Sequence, residues 1–311
     1  MQTHPLAQTV ADALVPRVAG TVRRGEPLGQ YTSFRVGGPA DVAVEAESEQ
    51  DLTAVADLCG GMPVAVIGRG SNLLVSDDGF RGVALRLGRG FRTQQVGEST
   101  IVFGAAVSLP AAARLTGRIG LAGFEFAAEI PGSFGGGVQM NAGAHGRSIS
   151  DVLVWADLLD LGTGRLERVP ARDLSYGYRR SSVGERVVVR GEVRLEPDEV
   201  RVVQTRIAEL LRWRRTHQPG GLSAGSVFKN PDGDSAGRLV DGAGGKGLRC
   251  GGAVVSDVHA NFIVVEQGST ASDVWRLIWL VRDLVVERMG VQLEPEVRFL
   301  GDFPQVERHE L

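Results

Sequence analysis

Asp41-Val-Ala-Val-Glu45, Ser48-Glu-Gln-Asp51 and Pro63-Val-Ala-Val-Ile67-Gly68-Arg-Gly70-Ser-Asn72 form the stretch that decides the fold. The first five residues alternate apolar and polar, as a half-buried strand does. Ser48 followed three residues later by Asp51 has the spacing of a helix N-terminal capping box. Leu52, Val55, Ala56 and Cys59 then recur at helical spacing, and Gly60-Gly61 stops the helix. Pro63 to Ile67 is a short apolar run suited to a buried strand. Strand, helix and strand in this order predict a β-α-β unit, hence a mixed α/β fold.

Outward from it the chain stays in short elements. Residues 1–29 are weakly patterned and are expected to form a helix-like lead and a loop. Strands are expected at Val83–Leu87, Ile101–Phe103, Val152–Leu159, Val187–Val189 and Glu192–Leu195. A helix runs from Ser108 to Ile119, with Pro110 in its first turn and Gly120 behind it. After Pro197, Val200, Val203, Ile207, Leu210 and Leu211 form one helical stripe. It ends in Arg212, Arg214 and Arg215, which suit a helix C-terminus. The clearest helix begins at Thr270 with Asp273 three residues on and ends at Gly290, and Val297 to Leu300 returns as a strand.

Composition narrows the function classes. The 311 residues carry 34 Lys+Arg against 37 Asp+Glu, a balance without the basic excess that nucleic acid or anionic membrane binding asks for. No apolar run reaches the ~18 residues of a membrane span, and the N-terminus lacks the apolar stretch of a signal peptide, so a cytoplasmic protein is expected. Two cysteines, Cys59 and Cys250, argue against a disulfide framework or a structural zinc site. Forty-three glycines are about twice the usual ~7% and follow no collagen-like period, so they are expected in turns and close backbone approaches.

Five segments could carry chemistry. In Gly68-Arg69-Gly70-Ser71-Asn72 a strand runs into a Gly-x-Gly turn that could bring backbone N–H groups to an anion. Leu73 stands where the dinucleotide fingerprint needs its third Gly, and a strand-like run follows, so a Rossmann site is excluded. A phosphate turn and a plain β-turn both remain. The segment Ile130-Pro131-Gly132-Ser133-Phe-Gly135-Gly136-Gly137-Val-Gln139-Met-Asn141-Ala142-Gly143-Ala-His-Gly146 holds six glycines in fifteen residues. It is expected to avoid regular helix and central strand, and to wrap a diphosphate or a flat ring. Tyr178-Arg179-Arg180-Ser181 offers an arginine fork for a carboxylate, though paired arginines more often face solvent. Gly225-Ser226-Val-Phe228-Lys229-Asn230 presents a hydroxyl, a charge and an amide, yet a serine there is more often a turn residue. Glu294-Pro295-Glu296 could place one carboxylate at a site, although a solvated turn is the commoner outcome.

In this order, the segments resemble one family, the UDP-N-acetylenolpyruvoylglucosamine reductases (MurB) of peptidoglycan precursor synthesis. The resemblance covers about residues 30 to 301 and includes Tyr31-Thr-Ser-Phe34-Arg35-Val-Gly37-Gly38 as a sixth motif. It implies a vanillyl-alcohol-oxidase-like FAD fold of two α/β domains plus a third, substrate-covering α/β domain, here 1–88, 89–200 and 201–301. FAD would be held without a covalent tether, because the Gly68–Val75 turn offers neither His nor Cys. Its contacts would come from Tyr31, Arg35, Gly68, Arg69, Gly70, Ser71, Asn72, Leu73, Ile130, Pro131, Gly132, Ser133, Gly135, Gly136, Gln139, Asn141, Ala142 and Gly143. NADPH would reduce the flavin and leave, and the enolpyruvyl sugar nucleotide would then take hydride from flavin N5 at its terminal carbon. By similarity Arg179 and Glu296 would stabilise the resulting enolate, and Ser226 would protonate the α-carbon. Tyr178, His217, Lys229 and Asn230 would contact the substrate, with His217 standing where members commonly carry Lys. Partners are expected to be small molecules, with no nucleic acid, no membrane and no metal, and the protein to be a monomer.

The chain departs from longer members in lacking a Tyr-bearing loop near residues 182–187 and an insertion after Pro231, so it resembles the compact subtype. Two other classes compete. A flavin-dependent oxidase of the same fold would have no need of Arg179, Ser226 and Glu296 together. A non-catalytic FAD or nucleotide-binding protein would keep the two Gly-rich segments alone.

Overall fold

The computed structural model describes residues 4–304. The β-α-β unit forms as the spacing predicts: helix Glu49–Leu58 links strands Pro39–Ala46 and Val64–Val66, which flank Phe80–Leu87 in parallel. Val42, Val44, Leu52, Val55, Val83 and Leu85 close the core between helix and sheet. Ser48 caps the helix through the Asp51 N–H. The expected capping box is only half made: the Asp51 carboxylate accepts not from the Ser48 N–H but from those of Glu47, Ala19 and Gly20, and so anchors the chain N-terminal to it. In that chain the expected helix-like lead forms, but much of the expected loop is a strand. Helix Ala7–Leu14 packs into the same core, and Thr21–Pro27 is a fourth, antiparallel edge strand. As an edge strand it is mostly exposed and polar, and so shows no alternation.

A five-stranded antiparallel sheet follows, in the order Leu166–Pro170, Leu153–Leu159, Val187–Arg194, Thr100–Gly104 and Gln94–Val96. The two strands expected at 187–189 and 192–195 are one, running straight through Gly191. A Cβ at Gly191 would stand 2.8 Å from the Trp155 carbonyl and 3.2 Å from the Phe134 ring, so glycine permits a close approach there. Helix Leu109–Ile119 is capped by Ser108 and ended by Gly120 at φ +69°. Helix Val200–His217 packs against it through Val203 and Ile207, inside the core of this second unit. That helix lies just beyond the boundary expected at residue 200.

The remaining chain builds a small three-stranded antiparallel sheet, Arg249–Cys250, Ala253–Val255 and Ile263–Val265, covered by helices Ala236–Gly242 and Ala271–Met289. The long helix carries the predicted capping box of Thr270 and Asp273, and Gly290 ends it at φ +68°. The last strand, Arg298–Leu300, pairs in parallel with Leu73–Val75 and so brings the C-terminal segment back beside the Gly68–Asn72 turn.

Candidate active site

The glycine-rich segment does form a helix, contrary to expectation: Phe134–Met140, capped by the Ser133 hydroxyl, which accepts from the Gly136 N–H. Packing overrides propensity here. A Cβ at Gly135 would lie 2.8 Å from Ala105 Cβ, and one at Gly137 would lie 3.2 Å from Leu109, so bare backbone lets the helix sit against its neighbours. Gly135 is thus buried in packing, whereas Gly136 is exposed. The helix N-terminus faces the first glycine turn: a Cβ at Gly68 would reach within 2.7 Å of Ser133 Oγ, and one at Gly132 within 3.7 Å of Ser71 Oγ. Gly70, at φ +59°, leaves no room for a side chain beside the Tyr31 carbonyl, and its own carbonyl accepts from the Ser33 N–H. The Gly68–Asn72 turn, the start of the glycine-rich helix and the Tyr31 turn therefore meet in one narrow cradle, with Ser133 Oγ at its mouth. Such a cradle suits a diphosphate approached by backbone N–H groups. Neither cysteine lies in this cradle, and burial pushes the Cys59 thiol up to about 12, which leaves it inert.

Several residues expected to touch a cofactor are engaged elsewhere. The Tyr31 hydroxyl donates to Glu26 at 2.5 Å and its ring lies under the Arg86 guanidinium, so only its main chain faces the turn. Arg35 donates to the Gln30 carbonyl. Gln139 and Asn141 donate to the Gly184 and Gly177 carbonyls, and Ser181 Oγ donates to the Gln139 carbonyl. Together they lay the 176–184 segment onto the glycine-rich one. Asn72 donates its amide to the Glu296 carbonyl at 3.0 Å, and its own carbonyl accepts from the Arg298 N–H at 3.0 Å. Asn230 accepts from the Ala236 N–H at the start of helix Ala236–Gly242, which Ser235 caps.

That framework brings the three catalytic candidates together. Arg179, at φ +55°, donates Nε to Glu296 Oε1 at 2.8 Å and a terminal nitrogen to the Gly143 carbonyl at 2.9 Å. Glu296 donates its N–H to the Val227 carbonyl at 2.7 Å, and the Lys229 N–H reaches the Glu294 carbonyl at 2.9 Å. Segments four and five thus run side by side, with Ser226 next to the residue that holds Glu296. Ser226 is half-buried, and its hydroxyl makes no hydrogen bond among the described residues. Burial raises the Glu296 carboxyl above its ordinary range, and the charges of Arg179 and Lys229 only partly oppose this. Lys229 itself pairs with Glu294 at 2.5 Å.

His217 stacks on Trp213 with ring centroids 4.5 Å apart, and Trp213 meets His145 edge-on. His145 in turn contacts the buried Glu129 carboxylate at 2.9 Å. A cavity of about 710 Å³ opens beside this aromatic group, between helix Val200–His217 and residues 122–126 and 147–152. It contains neither Arg179, Ser226 nor Glu296, and Arg147 and Arg206 on its wall are already paired with Asp151 and Asp198. The trio, with its complementary groups, is the better candidate for chemistry. What the sequence did not disclose is Asn261, which is 3% exposed and bonds both main-chain groups of Phe228. No local motif marks it.

Known proteins resemble the chain over nearly its whole length. The model of the UDP-N-acetylenolpyruvoylglucosamine reductase C-terminal domain matches residues 217–300, and an FAD binding domain matches residues 40–170. A UDP-N-acetylenolpyruvoylglucosamine reductase of Rubrobacter xylanophilus is 44% identical, over 94% of this chain and 99% of its own length. One from Symbiobacterium thermophilum is 43% identical, over 96% and 98%. The crystal structure of the Thermus caldophilus enzyme superposes with a TM-score of 0.81 at 35% identity, covering 91% of this chain and all of that one. With relatives matched from end to end and both family domains present, the chain belongs to the UDP-N-acetylenolpyruvoylglucosamine reductase family.

Proposed function

We propose that the protein reduces the enolpyruvyl group of UDP-N-acetylglucosamine enolpyruvate to give UDP-N-acetylmuramate, with NADPH as reductant, in peptidoglycan precursor synthesis. FAD, held by the Gly68–Asn72 turn and the N-terminus of helix Phe134–Met140, supplies the hydride chemistry when bound. Arg179 directs its guanidinium at the substrate carboxylate. Two of an arginine's five donors hold Glu296 and the Gly143 carbonyl, which fixes the plane of the fork and leaves the others for substrate. Glu296, with its carboxyl raised by burial, keeps a proton more readily than an ordinary carboxylate and can donate to the carboxylate as negative charge grows there. An ionised Glu296 would oppose that charge. Ser226 gives its hydroxyl proton to the α-carbon. As serine is a weak acid, the basicity of the enolate drives the transfer.

The observation that carries this proposal is the hydrogen bond from Arg179 to Glu296, 117 residues apart, beside the segment that presents Ser226. A simple flavin-binding protein has no use for it. The test is colour. Yellow protein should bleach with NADPH under anaerobic conditions and regain colour when the enolpyruvyl substrate is added. Colour regained only on admitting oxygen would make the protein an oxidase, and protein unable to take up FAD would overturn the proposal altogether.

No helix among the described residues is long and apolar enough to cross a membrane. We place the enzyme in the cytoplasm as a monomer acting on small molecules, so sedimentation should give one species near 33.1 kDa.

A further inference from the structure

Resting on that role for Ser226, we propose that Asn261 is the positioning residue of the proton donor. Its side-chain amide takes the place of a strand peptide and holds the Ser226–Phe228 segment at Glu296.

Ser226 is poorly tied from its own N-terminal side. Gly220, Gly221 and Gly225 precede it, and Gly221 and Gly225 have positive φ. At Gly220 and Gly225 an added Cβ would meet nothing within 4 Å. Upstream of it, the Leu222 carbonyl accepts from the Val265 N–H. Its position therefore depends on its own bridge to Phe262 and on the bonds of the residues that follow it. There the backbone lies between two partners without forming a regular strand, making only isolated bridges from Ser226 to Phe262 and from Phe228 to Pro295. On one side the Val227 carbonyl holds Glu296. On the other, the Val227 N–H donates to the Asn261 carbonyl at 2.8 Å, and the chain then turns away at His259–Phe262, where the Phe262 N–H bonds the His259 carbonyl.

No peptide is left opposite Phe228, and the Asn261 side chain fills that place. Oδ1 accepts from the Phe228 N–H at 2.9 Å, and Nδ2 donates to the Phe228 carbonyl at 2.8 Å. Phe228 is buried, so water cannot substitute for either bond. Only a side chain with donor and acceptor at this reach completes the pair. Aspartate lacks the donor when ionised, and glutamine is one carbon too long. Through Val227, the same bonds set the distance between the Ser226 hydroxyl and the Glu296 carboxyl, two groups that must meet one substrate.

The test compares Asn261→Asp and Asn261→Ala with wild type in separated half-reactions. Flavin content and the rate of reduction by NADPH should stay within about twofold of wild type. The dissociation constant of the enolpyruvyl substrate for oxidised enzyme, from equilibrium titration, should stay within about threefold. Reoxidation of reduced enzyme by that substrate should slow about 10²-fold, the cost of misplacing a reacting group by about 1 Å. In Asn261→Asp the deficit relative to wild type should shrink as pH is lowered, because a protonated carboxyl again donates to the Phe228 carbonyl. The isosteric Asn261→Asp keeps the test decisive if Asn261→Ala does not fold. Equal slowing of both half-reactions, unchanged reoxidation in a flavin-loaded variant, or a deficit in Asn261→Asp that does not vary with pH would overturn the assignment. A wild-type enzyme that the substrate fails to reoxidise would instead overturn the proposed reaction.

Discussion

Arg179 occupies a left-handed backbone position that is uncommon for any residue but glycine, and its two hydrogen bonds hold it there. A lysine would keep the charge but cannot hold Glu296 and the Gly143 carbonyl with one planar group. Arg179→Lys should therefore lower turnover by about 10²-fold or more while flavin content stays normal. Unchanged turnover would remove Arg179 from the site. Glu296 makes a prediction with a definite sign. Its folded pKa lies above the ordinary carboxylate value, so its proton is retained below that value and lost as pH rises through the raised one. Reoxidation by substrate should slow along that rise while reduction by NADPH does not, and Glu296→Gln should abolish that limb of the profile. Identical pH profiles for the two half-reactions would refute the assignment. By residue type alone, Arg179, Ser226 and Glu296 each favoured an ordinary surface or turn role. Only the order and spacing of the surrounding motifs marked them. Asn261 stayed hidden because its partner lies 33 residues away, and Asn72, expected at the cofactor, instead bonds Glu296, 224 residues on.

At the level of elements, what could be read locally formed locally. Helices Ala271–Met289 and Leu109–Ile119 and the β-α-β unit carry their caps and periodicity within one window of sequence. Helix Phe134–Met140 could not be read so, because its three glycines are poor helix formers, and the reason for Gly135 and Gly137 lies in distant Ala105 and Leu109. Edge strand Thr21–Pro27 was hidden for a related reason, since its order comes from pairing and not from an apolar face. Gly135→Ala should cost about 1–3 kcal/mol, as overpacking does, visible as a lower Tm. A neutral effect would mean that the helix does not depend on that contact. Gly68→Val has a different target. It would push a branched side chain onto Ser133 Oγ at the mouth of the cradle, so the purified variant should lose its yellow colour. Stoichiometric flavin in that variant would remove the turn from the cofactor site.

Across the whole molecule, the C-terminal unit is joined to the first by the parallel pairing of Arg298–Leu300 with Leu73–Val75, and to the second by Arg179 with Glu296. The second unit has its own internal tie. Asp157 is buried, which would raise its carboxyl, yet the N–H donors of Arg168 and Arg190 outweigh burial and hold it below its usual range. A carboxylate with a lowered folded pKa contributes stability above its ordinary value, and that contribution disappears as pH falls through the lowered one. Asp157→Asn should cost about 2–3 kcal/mol near neutral pH and less in acid, followed by urea unfolding. A cost independent of pH would contradict this. On the proposed roles the work divides into two half-reactions, and Ser226→Ala separates them most directly. Stopped-flow absorbance at the flavin band should show reduction by NADPH at near wild-type rate and reoxidation by the enolpyruvyl substrate slowed by about 10²–10⁴, the loss expected for a general acid. Equal slowing of both steps, or of neither, would return Ser226 to the turn residues and contradict the division.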